Sequence, residues 1–200
     1  MKKLSVLCDA LPREIRAGNR SYPVFTDFRR WILVSEIICE ERESPDIAAE
    51  CALCTVSPAL YGEYEKTRDP ELLAEAFRGI MWFFSCGRFD CDETNEKSDI
   101  TEDPERIFDF EYDAELILSS FIAAYGIDLT CGEMHWWKFS ALLKTLPPEC
   151  ELMRTVSLRM TDTSAIEDDS LRRRVRRAKA AVRIKKNQNK SFTERHGQQN

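Results

Sequence analysis

Four side chains of the sequence could together bind a metal ion. Cys51 and Cys54 form a Cys-x-x-Cys pair, and Cys131 precedes His135 by four positions, which would place those two on one face of a helix. Three thiolates and one imidazole are a suitable ligand set for tetrahedral zinc. The residues around the pair, Ala-Glu-Cys-Ala-Leu-Cys-Thr-Val, are instead typical of a helix, and His135 beside Trp136 is typical of a core or its rim. We favour this structural interpretation and expect no metal or other cofactor.

The cysteines could also serve redox chemistry or form disulfides. A redox Cys-x-x-Cys pair usually begins a helix after a strand, where the helix dipole lowers the thiol pKa, and no strand is predicted before Cys51. Disulfide frameworks are typical of short secreted domains, whereas this chain has 200 residues and no expected export signal. We therefore predict free, buried thiols. The cysteines are Cys8, Cys39, Cys51, Cys54, Cys86, Cys91, Cys131 and Cys150.

Paired carboxylates are a further candidate for chemistry. Asp109, Glu111, Asp113 and Glu115 are clustered, but they precede or begin a predicted helix, where negative charge interacts favourably with the positive end of the helix dipole. We interpret them as capping residues, Asp113 in particular, rather than as an acid–base pair. The sequence also contains no phosphate-binding glycine loop, zinc-protease motif or serine-hydrolase motif. We predict that the protein is not an enzyme.

Helices must position these residues, because apolar side chains recur at helical spacing through most of the chain. Ser44-Pro45 and Asp69-Pro70 are helix start signals, each with a capping residue before a proline at the first helical position. Thr130 and Glu133 have the spacing of a capping box, and Gly126 is suited to a helix end. The predicted helices span about 28–43, 45–57, 70–84, 113–125, 130–146, 147–160 and 165–186, with Pro58 as the stop of the second.

The predicted fold is mostly α. We expect one compact domain of about six helices over residues 1–160, with a small N-terminal β-hairpin over residues 13–25 that turns at Gly18-Asn19. Residues 87–104 are polar and acidic and are interpreted as an exposed loop. Residues 161–200 are predicted to form a basic C-terminal helix and a disordered tail.

Charge is distributed unevenly along the chain. Residues 171–200 contain 11 Lys or Arg and one Glu, whereas the preceding residues contain 18 Lys or Arg against 34 Asp or Glu. The basic segment could bind nucleic acid through phosphate contacts, pack on an acidic surface, or form a solvated helix. Nucleic acid is disfavoured because the segment has few nearby aromatic side chains for base stacking. Head-to-tail self-association between the basic segment and the acidic body is a further hypothesis.

No segment approaches the roughly 20 apolar residues of a membrane span, so we expect no membrane contact. The first 12 residues imitate a signal peptide, but Asp9 interrupts their apolar stretch. We therefore expect a cytoplasmic protein.

Aromatic side chains are concentrated between residues 107 and 146. Most should pack in a core, but they exceed what one helix pair needs. Trp136 and Trp137 are adjacent and would point about 100° apart on a helix, so that one of them could face a partner.

The same stretch resembles the bacteriophage Gp15 protein family, found in long-tailed phages and prophages of Gram-positive bacteria. The resemblance spans about residues 5–160. It includes Thr26-Asp-Phe-Arg29 near the N-terminus, the run Asp109 to Ile117, Tyr125-Gly-Ile-Asp-Leu129 and His135-Trp-Trp-Lys-Phe139. The residues it marks as motif and candidate partner-binding positions are Asp109, Phe110, Asp113, Phe121, Tyr125, Asp128, Leu129, His135, Trp136, Trp137 and Phe139.

This resemblance implies a role in building the phage tail. Members of the family are typically encoded between the major tail protein and the tape measure protein, a position that usually belongs to tail assembly chaperones. The expected partners are therefore the tape measure protein and the tail-tube protein, in the cytoplasm of the bacterial host. A nucleic-acid-binding or packaging accessory that uses the basic C-terminal helix is the alternative.

Overall fold

The computed structural model describes residues 10–40, 44–88 and 107–184. Within these residues the chain forms one two-stranded antiparallel hairpin followed by eight helices, which confirms the predicted mostly α fold with a small N-terminal hairpin. The strands are β1 (Glu14–Ala17) and β2 (Arg20–Pro23). The helices are α1 (Phe28–Glu40), α2 (Pro45–Val56), α3 (Pro58–Thr67), α4 (Pro70–Phe84), α5 (Ala114–Tyr125), α6 (Trp136–Lys144), α7 (Glu151–Met160) and α8 (Asp169–Ala181).

The described residues divide into two compact units. Unit 1 comprises residues 10–40, 44–88 and 133–140, and unit 2 comprises residues 107–132 and 141–184. The division falls within α6, after Ser140. The predicted domain boundary after residue 160 stays a prediction.

In unit 1 the hairpin packs against α4 at a glycine. Ile15 and Ala17 of β1 are buried, and the hairpin register pairs Ile15 with Tyr22. A Cβ atom on Gly79 would lie 2.9 Å from the carbonyl oxygen of Arg16 and 3.2 Å from the Cβ atom of Ile15. Only a residue without a side chain therefore allows the helix to approach the strand this closely.

The remaining helices of unit 1 form its apolar core. Helix α2 packs against α1 and α4, and it is rich in alanine, which lets the three helices approach one another. Ser57, between α2 and α3, is buried and donates a hydrogen bond to the carbonyl of Pro23 (2.8 Å). The side chains that are fully buried here include Trp31, Val34, Ile37, Leu53, Val56, Leu60, Ile80 and Phe83.

Unit 2 is built around α5, α7 and α8. Helix α5 ends at Gly126, which has the predicted left-handed conformation with φ 66°. Helix α7 packs against α5 and α8, and α8 is capped by Asp168, whose carboxylate accepts hydrogen bonds from the backbone of Ser170 and Leu171. None of the side chains of α8 is buried.

Several local predictions are wrong, each for a local reason. The second helix does stop before Pro58, as predicted, but the sequence did not predict α3, which Pro58 begins. The capping box at Thr130 does not form, because Asp128 accepts the hydrogen bonds of both the backbone N–H and the hydroxyl of Thr130. Helix α6 begins six residues later, at Trp136.

The prediction of buried thiols is also wrong for the described residues. Cys39, Cys54 and Cys131 are exposed, Cys51, Cys86 and Cys150 are partly exposed, and none of the six forms a disulfide. Cys8, Cys91, most of the predicted acidic loop over 87–104 and the tail beyond residue 184 lie outside the described residues. Among the helices that the structure describes, none combines the length and the apolar character needed to cross a membrane.

Candidate functional site

Two segments that are far apart in the sequence, Thr26-Asp-Phe-Arg29 and Met134 to Phe139, meet in unit 1. The backbone N–H of Phe28 donates to the carbonyl of Met134 (2.9 Å), and the N–H of Trp136 donates to the carbonyl of Thr26 (2.8 Å). These bonds form an isolated antiparallel bridge between Asp27 and His135. The two segments that carry the family resemblance in this unit are therefore one structural feature.

Asp27 holds both segments of this feature. One carboxylate oxygen accepts a hydrogen bond from the backbone N–H of Arg29 (3.1 Å), which satisfies a free donor in the first turn of α1. The other oxygen accepts from the backbone N–H of Met134 (3.1 Å) and from the Arg29 guanidinium (3.0 Å). One side chain thus caps a helix and fixes the chain that enters α6.

Both ring nitrogens of His135 have backbone partners. The N–H of Trp137 donates to Nδ1 (3.1 Å), so Nδ1 carries no proton, and Nε2 then donates to the carbonyl of Pro12 (2.8 Å). Burial lowers the pKa of His135, and the positive charge of Arg13 lowers it further, although the hydrogen bond to Pro12 opposes both. The neutral ring is a positioning element with no free lone pair for a metal.

Trp136 and Trp137 are both buried, with 5% and 4% of their surfaces exposed. The indole N–H of Trp136 donates to the carbonyl of Phe84 (2.8 Å), and that of Trp137 donates to the carbonyl of Phe83 (2.9 Å). Both indoles therefore donate to carbonyls in the last turn of α4, of which the Phe83 carbonyl also accepts from the backbone N–H of Cys86 (3.1 Å). The prediction that one tryptophan could face a partner fails, because both are committed to the core of unit 1.

Aromatic stacking continues this core. The Phe139 ring stacks on Phe28 at a centroid distance of 4.4 Å, and Phe83 stacks on Trp31 at the same distance. Trp136 stacks on Phe84 at 5.3 Å. Unit 1 contains four of the motif residues: His135, Trp136, Trp137 and Phe139. All four contribute to packing and hydrogen bonding within this unit, whereas Lys138, which lies among them, is exposed.

In unit 2 the central feature is an ion pair that is removed from water. Arg159 of α7 contacts Asp113 through two hydrogen bonds, Nη1–Oδ2 at 2.7 Å and Nη2–Oδ1 at 2.8 Å, and the side chains are 4% and 0% exposed. The guanidinium also donates to the carbonyls of Ile107 (3.1 Å) and Val182 (2.7 Å). It lies over the ring of Tyr112 at 5.5 Å from the centroid.

Asp113 occupies the N-cap position of α5, as predicted, but its side chain does not cap the helix. Asp113 makes no side-chain bond to the first turn of α5. Asp109 instead accepts hydrogen bonds from the backbone of Glu111 (3.0 Å) and Tyr112 (2.8 Å), and its own N–H donates to Asp113 Oδ2 (3.1 Å). The acidic cluster shapes the turn before α5 and supplies one buried anion for Arg159.

The remaining motif residues of unit 2 are structural as well. Phe121 is fully buried and contacts the ring of Tyr125 edge-on at 5.6 Å, while the Tyr125 hydroxyl donates to the carbonyl of Leu142 (2.9 Å). Leu129 is buried, and Phe110 contacts Phe108 edge-on at 4.9 Å.

Asp128 is the exposed exception. The hydroxyl of Thr130, together with its backbone N–H, lowers the pKa of Asp128, which keeps its carboxylate ionised at neutral pH.

Sequence reasoning missed Arg159. The signal was present, because Leu152, Val156 and Arg159 occupy helical positions i, i+4 and i+7, so that an arginine stands on the apolar stripe of α7. An arginine in that position needs a buried anion. The sequence does not show which acidic residue supplies it, because Asp113 lies 46 positions earlier in the chain.

The proposed Cys₃His zinc set is not assembled. In the described ranges, no group of three or more His, Cys, Asp or Glu side chains is arranged to hold a metal ion. Burial and the nearby carboxylates of Glu65 and Glu50 raise the pKa of Cys54, which disfavours the thiolate that metal binding or redox chemistry requires.

Several large apolar side chains are exposed on the surface of the described residues. Large apolar residues that are at least two fifths exposed occur in both units: Phe25 and Ile47 in unit 1, and Ile107, Tyr112, Ile122, Met160 and Leu171 in unit 2. Surface arginines accompany them, most densely on α8.

Comparison with known proteins gives one match. The family model described as Bacteriophage Gp15 protein matches residues 7–184, which is well over half of the chain and includes every described element. No curated protein and no solved structure matches the chain.

Proposed function

The chain belongs to the Bacteriophage Gp15 protein family, and from that membership we propose that it is a non-enzymatic tail assembly chaperone. In this role it binds the tape measure protein in the cytoplasm of the host cell, keeps it soluble, and helps tail-tube subunits to polymerise on it. The family match carries the proposal, because members of this family are typically encoded between the genes of the major tail protein and the tape measure protein.

The exposed apolar side chains are compatible with such a role. A chaperone for a long helical protein needs surfaces that accept the apolar face of an amphipathic helix. Ile47 on α2 and Met160 at the end of α7 are 48% and 62% exposed, one in each unit. The packed aromatic core and the Arg159–Asp113 pair would hold these surfaces on rigid helices.

Co-expression tests the proposal. The tape measure protein from the same phage genome is expressed alone and together with this chain, and its soluble fraction is compared. We expect the tape measure protein to be soluble only in the presence of this chain and to co-purify with it. A tape measure protein that is equally insoluble in both cases, or that is soluble but does not co-purify, would overturn the proposal.

Two matched variants locate the binding surface. Ile47→Gln and Met160→Gln each replace one exposed apolar side chain by a polar one of similar size, in unit 1 and unit 2 respectively. The variant that lowers recovery of the tape measure protein assigns the surface to its unit. The other variant is the control for expression and folding.

A further inference from the structure

The outward face of α5 is exposed and carries one large apolar side chain. Glu115, Ser119, Ile122 and Ala123 lie at positions i, i+4, i+7 and i+8 and are all exposed, opposite the buried residues Ile117 and Phe121. Ile122, at the centre of this face, is 49% exposed. Ser119 and Ala123 are small, so a second helix could approach closely around Ile122.

Negative charge borders this face at both ends. Residues 107–132 contain five Asp or Glu and no Lys or Arg. Asp113 is neutralised internally by Arg159, which leaves Glu111 and Glu115 exposed at the N-terminal end of α5 and Asp128 exposed beyond its C-terminal end.

Helix α8 presents the complementary surface. Its half-buried residues Val175 and Lys179 face the rest of unit 2, and the exposed Ala181 lies on the opposite face. Arginines accompany that outward face, including the exposed Arg174 and Arg177. The outward face of α8 is thus basic, whereas carboxylates border the outward face of α5.

The two faces also have similar lengths. Helix α5 has 12 residues and α8 has 13, which corresponds to about 18 and 20 Å at 1.5 Å per residue. Both faces are exposed in the same chain while α8 packs against α7, so a second chain is needed to bring them together.

We propose that the outward face of α5 binds α8 of a second copy of this chain. Ile122 packs against Ala181 and the aliphatic stems of Arg174 and Arg177. The guanidinium groups of these arginines lie near the carboxylates of Glu111, Glu115 or Asp128 of the other copy. Each copy then offers one donor helix and one acceptor face. Such a contact closes into a reciprocal dimer or a ring where the geometry of the two faces allows it, and otherwise produces chains of increasing length.

This inference goes beyond the proposed chaperone function and does not depend on it. Self-association is a property of the purified chain alone, whereas the chaperone role is tested with the tape measure protein. The two proposals can therefore fail separately.

Sedimentation equilibrium of the full chain, freed of nucleic acid by nuclease and monitored by the absorbance ratio, tests the contact. We expect the mean mass to rise with protein concentration at low ionic strength and to fall towards the monomer at high ionic strength, because exposed charges are screened by salt. A chain that stays monomeric at low ionic strength, or that associates only when nucleic acid is added, overturns the proposal.

Charge reversal identifies the two faces. Arg174→Glu with Arg177→Glu alters only the donor helix, and Glu115→Lys alters only the acceptor face. Each is expected to weaken self-association by about tenfold or more, since like charges are then opposed. Arg154→Glu and Glu151→Lys on α7 are the matched controls, because Arg154 is exposed and Glu151, like Glu115, is an exposed first-turn glutamate.

Mixing an acceptor-face variant with the donor-helix variant is the decisive measurement. Ile122→Gln is the acceptor-face variant used here, because a lysine at position 115 would attract the glutamates placed at positions 174 and 177 of the other chain. The Ile122→Gln chain keeps an intact α8 and the Arg174→Glu, Arg177→Glu chain keeps an intact α5 face, so the mixture has one competent contact. We expect a heterodimer and no larger species. Ile122→Gln, which changes no charge, should weaken association of the otherwise wild-type chain. Unchanged association in either the charge-reversed or the Ile122 variant, with circular dichroism showing intact helices, overturns the proposal.

Discussion

Arg159 and Asp113 lie 46 positions apart in the sequence and form a bidentate ion pair in the interior of unit 2. The same guanidinium reaches the carbonyls of Ile107 and Val182, so that one side chain connects α7 to the start of α5, to the segment before it and to the end of α8. Removing either partner leaves a charge in a place where water cannot compensate it.

We expect Asp113→Asn to destabilise unit 2 by about 3–5 kcal/mol, since Arg159 stays charged and buried without its anion. All four tryptophans of the chain belong to unit 1, so tryptophan fluorescence does not report directly on this unit. Hydrogen exchange of peptides from residues 107–132 and 151–184 is the suitable measurement, and it should show a large loss of protection.

Glu115→Gln is the matched control for this variant, because it neutralises an exposed carboxylate in the first turn of the same helix. Both variants are measured at high ionic strength, where the chain is expected to be monomeric. It should change protection little. Combining Asp113→Asn with Arg159→Met should cost less than the two single changes added together, since the buried charge is then absent. Equal protection in Asp113→Asn and Glu115→Gln would contradict the importance of the pair.

Two helical glycines of unit 1 should respond to alanine in opposite ways. A methyl group at Gly79 would meet the Arg16 carbonyl at 2.9 Å, a backbone atom that cannot move aside, whereas a methyl group at Gly62 meets nothing within 4 Å. We expect Gly79→Ala to lower the free energy of unfolding by about 1–3 kcal/mol. Gly62→Ala should raise it by about 0.5–1 kcal/mol, because alanine favours the helix.

Urea unfolding followed by tryptophan fluorescence measures both glycine variants, since both residues and all the tryptophans lie in unit 1. The Gly62 variant controls for the general effect of a glycine-to-alanine change in a helix. A stabilised Gly79→Ala protein would mean that β1 does not press against α4 as described.

Locally encoded features of this fold were predictable from sequence. Ser44-Pro45 and Asp69-Pro70 mark the starts of α2 and α4, where a capping position precedes a proline whose missing N–H costs nothing. Gly126 ends α5 in the left-handed conformation that the sequence predicts. These signals operate within one turn of helix and do not depend on the rest of the chain.

Features that depend on a distant partner were not predictable in the same way. Asp113 was assigned to capping because its neighbours are helical, yet its carboxylate binds Arg159. The exposure of Trp136 and Trp137 could not be decided either, because the carbonyls that bind their indoles belong to Phe83 and Phe84 on another helix. Thr130 lost its capping role to a competing acceptor only two residues away, Asp128.

The two buried tryptophans should differ in the cost of losing their indole N–H. Trp136→Phe leaves the Phe84 carbonyl with only a long contact (3.9 Å) from the Cys86 thiol, whereas Trp137→Phe leaves the Phe83 carbonyl with a hydrogen bond from the Cys86 backbone N–H (3.1 Å). We therefore expect Trp136→Phe to lower the free energy of unfolding by about 1–3 kcal/mol more than Trp137→Phe does, because only Trp136→Phe leaves a carbonyl, that of Phe84, unpaired.

Alanine at either tryptophan position should lower the free energy of unfolding by more, about 3–5 kcal/mol, because it also creates a cavity. Urea unfolding monitored by the remaining tryptophans measures the four variants. Both phenylalanine variants should retain partner binding, since neither indole is on the surface. Loss of binding by a variant of unchanged stability would contradict the assignment of these residues to the core.

The stability of unit 1 should depend on pH through His135. Burial lowers the pKa of this histidine below the ordinary value of 6.5, so the folded chain binds a proton less readily than the unfolded chain. As the pH falls below about 6.5, the unfolded chain takes up the proton first and the free energy of unfolding decreases. The decrease ends when the pH passes the lowered pKa of the folded state, because both states are then protonated.

Protonation has a direct structural consequence at this residue. A proton on Nδ1 removes the acceptor for the backbone N–H of Trp137 and places a positive charge near Arg13. We expect the urea midpoint, measured by tryptophan fluorescence from about pH 8 to about pH 5.5, to fall with pH in the wild-type chain and to be nearly constant in His135→Gln. The second histidine, His196, is present in both proteins, so its contribution to the pH dependence is the same in each. If both proteins lost stability with the same slope, the pH dependence would belong to other groups, and His135 would have to be as readily protonated in the folded chain as in the unfolded one.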